Sequence, residues 1–207
     1  MSSYNDLQLL RRVADINSGY TFREKVEEIE NGDVHIAQIK DVRKACKEHN
    51  STSFSANGLP RINSGGKSKS FTEPGCVLLP SRGEYTQASY FTSKEDGALP
   101  LIVSSQFLVI RPRASNLDPR YLCWALNQSS IQHFLREGPG SQGSNIVMLK
   151  VADVSDIKIN VPSLDTQRKI VEINDLWEQE RALTYKLLAN RETMLKGMFQ
   201  KLIMEKE

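Results

Sequence analysis

The residues most suited to chemistry are Ser81, beside Arg82 and Gly83 in LPSRGEYTQASYF (Leu79 to Phe91), the acidic group Glu27, Glu28 and Glu30, and the scattered His35, His49 and His133. Ser81 has no G-x-S-x-G elbow and no neighbouring histidine to take its proton, so a hydrolase is disfavoured. The glutamates lie in a charged, surface-like run without metal or nuclease spacing, and a lone histidine is more often structural than a ligand. Cys46, Cys76 and Cys123 are odd in number and far apart, which suggests neither a disulfide framework nor a zinc site. G-x-x-x-x-G-K-[ST] is missing, and GPGSQGSN (Gly138 to Asn145) follows a helical pattern and lacks G-x-G-x-x-G spacing. Its glycines are expected to permit a tight turn that Ser141, Gln142 and Asn145 cap or offer to a partner. The chain is expected to hold no metal or cofactor and to catalyse nothing.

What remains is the chemistry of contact. Arg82, Tyr85, Gln87 and Tyr90 can bond base edges or phosphates, or stack, although an ordinary surface hairpin would carry the same residues. Net charge is only +2, yet between Lys40 and Arg82 eight basic residues face three acidic ones. Lys67 and Lys69 belong to GGKSKS, the basic tail of a polar, Gly/Ser-rich stretch from His49 to Ser70 that reads as a long surface loop. A solvated basic face with no partner would show the same charges.

The elements that must position these residues follow from pattern. With 207 residues and 39% apolar content, the chain can bury a sizeable core. No apolar run approaches a membrane span, and MSSYNDLQLLRRV lacks the order of a secretory signal, so the cytoplasm is expected. Apolar spacing predicts an opening helix from about Leu7 to Ile16, and strands at Val34 to Ile39, Cys76 to Pro80, Leu99 to Ser104 and Phe107 to Pro112. In NLDPRYLCWALNQSSIQHFLREG, Asp118 suits an N-cap, Pro119 the first helical position and Gly138 a stop. This helix should cover the β domain, with Trp124 and Phe134 in a structural role. A short strand in IVML, a helical stretch from Val151 to Val154 and a half-buried strand in IKINVP come next.

Pro162 ends that strand, Ser163 offers an N-cap and Asp165 complements the dipole of a new helix. From Asp165 to Met204 there is no proline and one glycine, giving a rod of about 60 Å. Ile173, Trp177, Leu183, Leu187, Leu188, Met194, Leu195, Met198 and Leu202 form an apolar stripe along it, imperfect around Glu180, Thr184 and Arg191. Burying each large apolar side chain is worth about 1.5–3 kcal/mol, so the stripe calls for a second, antiparallel helix. A hairpin folded back near Gly197 is the weaker alternative, since no turn sequence interrupts the helix. The fold class is thus α+β: a mostly β domain over 1–162 and a long helix over 163–207.

The ordered succession NLDPRYLCWALNQ, GPGSQGSNIVMLKVADVSDIKINVPSLDTQRKIV resembles the target-recognition domain and following helix of specificity subunits from type I restriction-modification enzymes. The signature at the helix start appears as Ile157, Ile159, Pro162, Leu164, Gln167 and Ile170, with Ser163 where a second proline is often found. VADINSGYTFR and PGCVLLPSRG resemble the same family in the N-terminal half. The resemblance implies a subunit that binds double-stranded DNA without cleaving it. Partner methyltransferase subunits, carrying S-adenosylmethionine, would modify adenine at N6, and a restriction subunit can join. Family members usually carry two recognition domains and two antiparallel helices, so two copies of this chain on a two-fold axis would restore that frame and read a bipartite site. For DNA contact, Lys67, Lys69 and Arg82 are expected on phosphates or guanine edges, and Gln87, Tyr90 and Arg23 nearer the bases. The rival expectation is a protein adaptor that uses its helix alone.

Overall fold

Short apolar runs make the centre of the structure. The computed structural model describes residues 7–66, 70–92, 98–137 and 147–204. Its elements in chain order are β1 (Leu7–Leu9), α1 (Leu10–Val13), β2 (Ala14–Ser18), β3 (Val34–Ala37), α2 (Ile39–Glu48), β4 (Ser53–Phe54), β5 (Arg61–Ile62), β6 (Phe71–Thr72), β7 (Val77–Pro80), β8 (Arg82–Gly83), β9 (Ser89–Phe91), β10 (Leu101–Val103) and β11 (Phe107–Pro112). Then follow α3 (Pro119–Leu126), α4 (Ser129–Glu137), β12 (Val147–Met148), α5 (Val151–Ser155), β13 (Lys158–Asn160) and α6 (Leu164–Met204).

One sheet has the order β2-β11-β7-β9-β4 and a second β5-β3-β10-β6, with β1-β13 and β8-β12 as small outlying pairs. Strand periodicity divides the core. Val77, Leu79, Leu108 and Ile110 face α3 and α4, whereas Leu78, Phe107 and Val109 face Val103 of the second sheet and Val42 of α2. The central strands are covered on both faces, which is why they read as nearly continuous apolar runs. The α+β class expected from sequence is the fold observed.

Several elements differ from expectation. The opening helix is a single turn, because Leu7–Leu9 pairs with β13 and Ala14–Ser18 with β11, and sheet pairing overrides helical spacing there. The stretch from His49 to Ser70 is not a plain surface loop: it contributes β4 and β5, and Phe54, Ala56, Leu59 and Ile62 are buried. The helix over 118–137 is two, α3 and α4, broken at Asn127 and Gln128. Phe134 is 42% exposed rather than packed, whereas Trp124 lies against the core. Helix α2 was not anticipated from sequence; there Val42 and Cys46 face inward at helical spacing among charged neighbours. The glycine turn from Gly138 to Asn145 lies outside the described residues.

Gly19, in the VADINSGYTFR motif, passes hard against the turn before β11. A Cβ there would stand 2.2 Å from the Ser104 carbonyl oxygen, so only glycine lets Tyr20 N–H reach the Val103 carbonyl at 2.7 Å.

The three cysteines are free and buried. Burial pushes the Cys76 thiol from its usual 9.0 up to about 12, and raises Cys46 and Cys123 as well. A raised folded pKa contributes stability that is complete below the unfolded value and is lost as pH climbs towards the folded one. Stability, read as melting temperature, is therefore expected to fall between pH 9 and 12, with Cys76 alone contributing about 1.4 kcal/mol per pH unit, while the native thiols react slowly with a disulfide reagent. A flat melting profile across that window would refute the burial.

Candidate nucleic-acid interface

Helix α2 has two unlike faces. Val42 and Cys46 are buried, while Lys40, Arg43, Lys44 and Lys47, at i, i+3, i+4 and i+7, share the exposed side. Lys40 pairs with Glu28 at 2.8 Å and Lys44 with Glu48 at 3.8 Å. Arg43 instead places its guanidinium over the Tyr85 ring, 4.9 Å from the centroid.

Tyr85 belongs to a segment clamped from beneath. The buried Thr86 hydroxyl donates to Gln132 Oε1 at 2.7 Å, and Gln132 Nε2 returns to the Thr86 carbonyl at 3.1 Å. Ala88 N–H donates to Asn127 Oδ1 at 2.8 Å, and Asn127 Nδ2 to the Ala88 carbonyl at 2.9 Å. Alternation then turns Tyr85 and Gln87 away from these anchors, and the Tyr85 hydroxyl donates to Gln87 Oε1 at 2.8 Å. Burial raises the Tyr85 phenol to about 12, so it remains a neutral donor near neutral pH.

The residues expected from sequence to touch DNA are dispersed. Arg82 is exposed in β8, paired with β12, and shares its segment with Gln87. Tyr90 is half-buried in β9, where it lines a cleft with Arg120, Asp175 and Glu178. Arg23 is exposed on another segment, beside Phe22, Lys25, Ile62 and Asn63. Lys67 and Lys69 lie outside the described residues. Arg43, Lys44 and Lys47 contribute to the basic charge of the Lys40–Arg82 stretch, but charge alone does not mark them as one face. Their helical spacing was the available signal.

Helix α6 is bolted to the head at its base. Gln167, fully buried, accepts from Asp118 N–H at 2.8 Å and donates to the carbonyls of Asn116 and Pro162 at 2.7 Å. Asp118 in turn caps α3 through the N–H groups of Arg120 and Tyr121, so one glutamine ties together the starts of two helices. Arg120 donates to Asp175 at 2.7 Å. Glu178 accepts from the Ser51 hydroxyl at 2.7 Å, the Thr52 hydroxyl at 2.9 Å and the Thr52 N–H at 3.2 Å. Asn50, in the left-handed conformation at φ 47°, ends α2 and turns its carbonyl towards Arg181 at 3.3 Å.

Beyond that base α6 continues unbroken through Gly197 for 41 residues in all. Ile173, Trp177, Leu183, Leu187, Leu188, Met194, Leu195, Met198 and Leu202 are all exposed. No helix among the described residues is long and apolar enough to cross a membrane.

Groups suited to catalysis are kept apart among the described residues. Ser81 donates to the Ser105 carbonyl at 3.2 Å, His35 Nδ1 bonds the Leu59 carbonyl at 2.9 Å, and His133 faces Glu137. No group of three histidine, cysteine or acidic residues gathers as a metal site among them. The fold is a strand-rich head carried on a long helical rod.

The chain belongs to the Type I restriction modification DNA specificity domain family, which residues 9–189 match. No curated protein is similar enough in sequence to match. Among solved structures, one from work on complex assembly and conformational transition of the type I R-M system is similar, with TM-score 0.65 and 18% identity over 96% of this chain and 45% of that one. The HsdS subunit from Thermoanaerobacter tengcongensis is similar with TM-score 0.60 and 17% identity, over 88% of this chain and 40% of that one. The fold is shared with both, and this chain spans less than half the length of either.

Proposed function

We propose that this chain is the sequence-reading component of a type I restriction-modification enzyme. Its head binds double-stranded DNA. Its rod pairs antiparallel with the rod of a second copy, setting two heads on an inverted repeat with a fixed gap. A separate methyltransferase subunit docks on this frame and uses S-adenosylmethionine to methylate adenine at N6; a restriction subunit joins the same assembly, in the cytoplasm.

The observation that carries the reading is α6, a rod of about 60 Å rooted in its own head, with its apolar stripe in water. Such a stripe needs a matching helix, and a second copy supplies an identical one. At about 3.4 Å per base pair, a rod of that length bounds the gap to under two turns of DNA. The basic face of α2 and the exposed Arg82 supply charge complementary to phosphate.

Two measurements test this. Sedimentation at high micromolar concentration is expected to give a dimer, and selection from random duplexes, with and without an adenine methyltransferase, to enrich an inverted repeat. A monomer, or enrichment of no sequence in either condition, would sink the proposal. Capture of the methyltransferase without any enriched DNA would favour the adaptor. Arg82→Ala and Lys67→Ala are each expected to lower DNA affinity about tenfold and the salt slope by about one. If both variants leave affinity and slope unchanged, the phosphate assignment is wrong.

A further inference from the structure

Resting on the reading of this chain as a DNA-binding head, we infer that Arg43, seated over Tyr85, reads a guanine edge in the major groove, and that Lys44 and Lys47 on the same helix face hold adjacent phosphates. The Arg43 guanidinium lies over the Tyr85 ring, and among the described residues no hydrogen bond or ion pair engages its N–H groups, so its fork is free to meet a ligand. That fork matches the paired acceptors O6 and N7 of guanine. No carboxylate pairs with Arg43 among the described residues, so no competing bidentate contact has to be broken first.

The platform beneath it is rigid. Tyr85 is flanked by Thr86 and anchored through its hydroxyl to Gln87, while Thr86 and Ala88 are tied to α4 and α3 by reciprocal hydrogen bonds. Rotamer freedom that an exposed arginine ordinarily loses on binding has thus been surrendered in the free protein. Lys44 and Lys47 lack a planar fork and suit phosphate as point charges. The exposed pair of Lys44 with Glu48, at 3.8 Å, is of the kind that exchanges readily for a phosphate.

The test uses the full chain and a randomised double-stranded oligonucleotide pool. The wild type is expected to select guanine at one position of the enriched site, by about ten- to hundredfold over other bases. Arg43→Ala should flatten that position alone. Arg43→Lys should flatten it too while preserving the salt slope, because charge is kept and the fork is lost. Lys47→Ala should lower affinity evenly for all sequences and the slope by about one. Both positions are exposed in the fold, and a melting curve matching the wild type establishes that each variant is folded. Arg43→Ala with its base preferences intact, weakened equally everywhere, or relaxed at a position other than guanine overturns the inference. A wild type that enriches nothing overturns the DNA-binding reading itself, which is a distinguishable result.

Discussion

Leu187→Glu combined with Leu195→Glu is expected to abolish the proposed pairing of rods, leaving a monomer, and to weaken binding to the proposed two-part DNA site by at least about a hundredfold. Both side chains are largely in water in the single chain, 52% and 46% exposed, so the substitutions remove nothing from the head's own core. In a paired rod each copy would bury them, at about 1.5–3 kcal/mol per side chain, and a carboxylate in that seam adds a desolvation cost. Two variants per chain act four times in a two-fold pair. Loss of pairing makes the second head's binding bimolecular again, and the effective concentration supplied by the rod vanishes. Light scattering reads the oligomer, titration of the full site against a single half-site reads the affinity, and a melting curve reads the head. A variant that remains dimeric would show that another surface pairs the chains. A monomeric variant with undiminished affinity would show that pairing and recognition are independent.

Gln167→Ala is expected to destabilise the head by about 3 kcal/mol or more, since a buried group left without its partner costs about 1–3 kcal/mol. Three groups lose a partner at once: the Asp118 N–H and the carbonyls of Asn116 and Pro162. For a chain of this size that corresponds to a fall of roughly 6–12 °C in melting temperature. Gln167→Glu keeps the acceptor for Asp118 but aims a carboxylate at two carbonyl oxygens. Its cost is expected to grow as pH rises through the carboxyl range, because only the protonated form can donate. A melting temperature within about 2 °C of wild type for Gln167→Ala would remove Gln167 as the bolt between head and rod.

Gln167 also illustrates how sequence and structure divide the information. The signature around it, with Ile157, Ile159, Pro162 and Leu164, was legible as a pattern, and so was the helix it opens. Proline ends a strand, serine caps, and forty residues with no proline and a single glycine favour a continuous helix, all through local backbone chemistry. The Asp118 cap and Pro119 at the start of α3 were legible for the same reason. Strands β7 and β11 announced themselves by apolar runs that have no solvated face.

Other features depended on partners distant in sequence. Leu7 to Ile16 has helical spacing, yet most of it is strand, because β13 and β11, distant in sequence, offer it ladder bonds. Nothing near Thr86 announces that Gln132 will clamp it, and nothing near Tyr85 announces Arg43. Local sequence thus determined the rod, its apolar stripe and the strand-rich head, because capping, helix propensity and apolar periodicity act over a few residues. Tertiary structure alone decided which polar side chains face outward together and how the rod is held, because a hydrogen bond or a stacked ring depends on separation in space, whatever the distance along the chain.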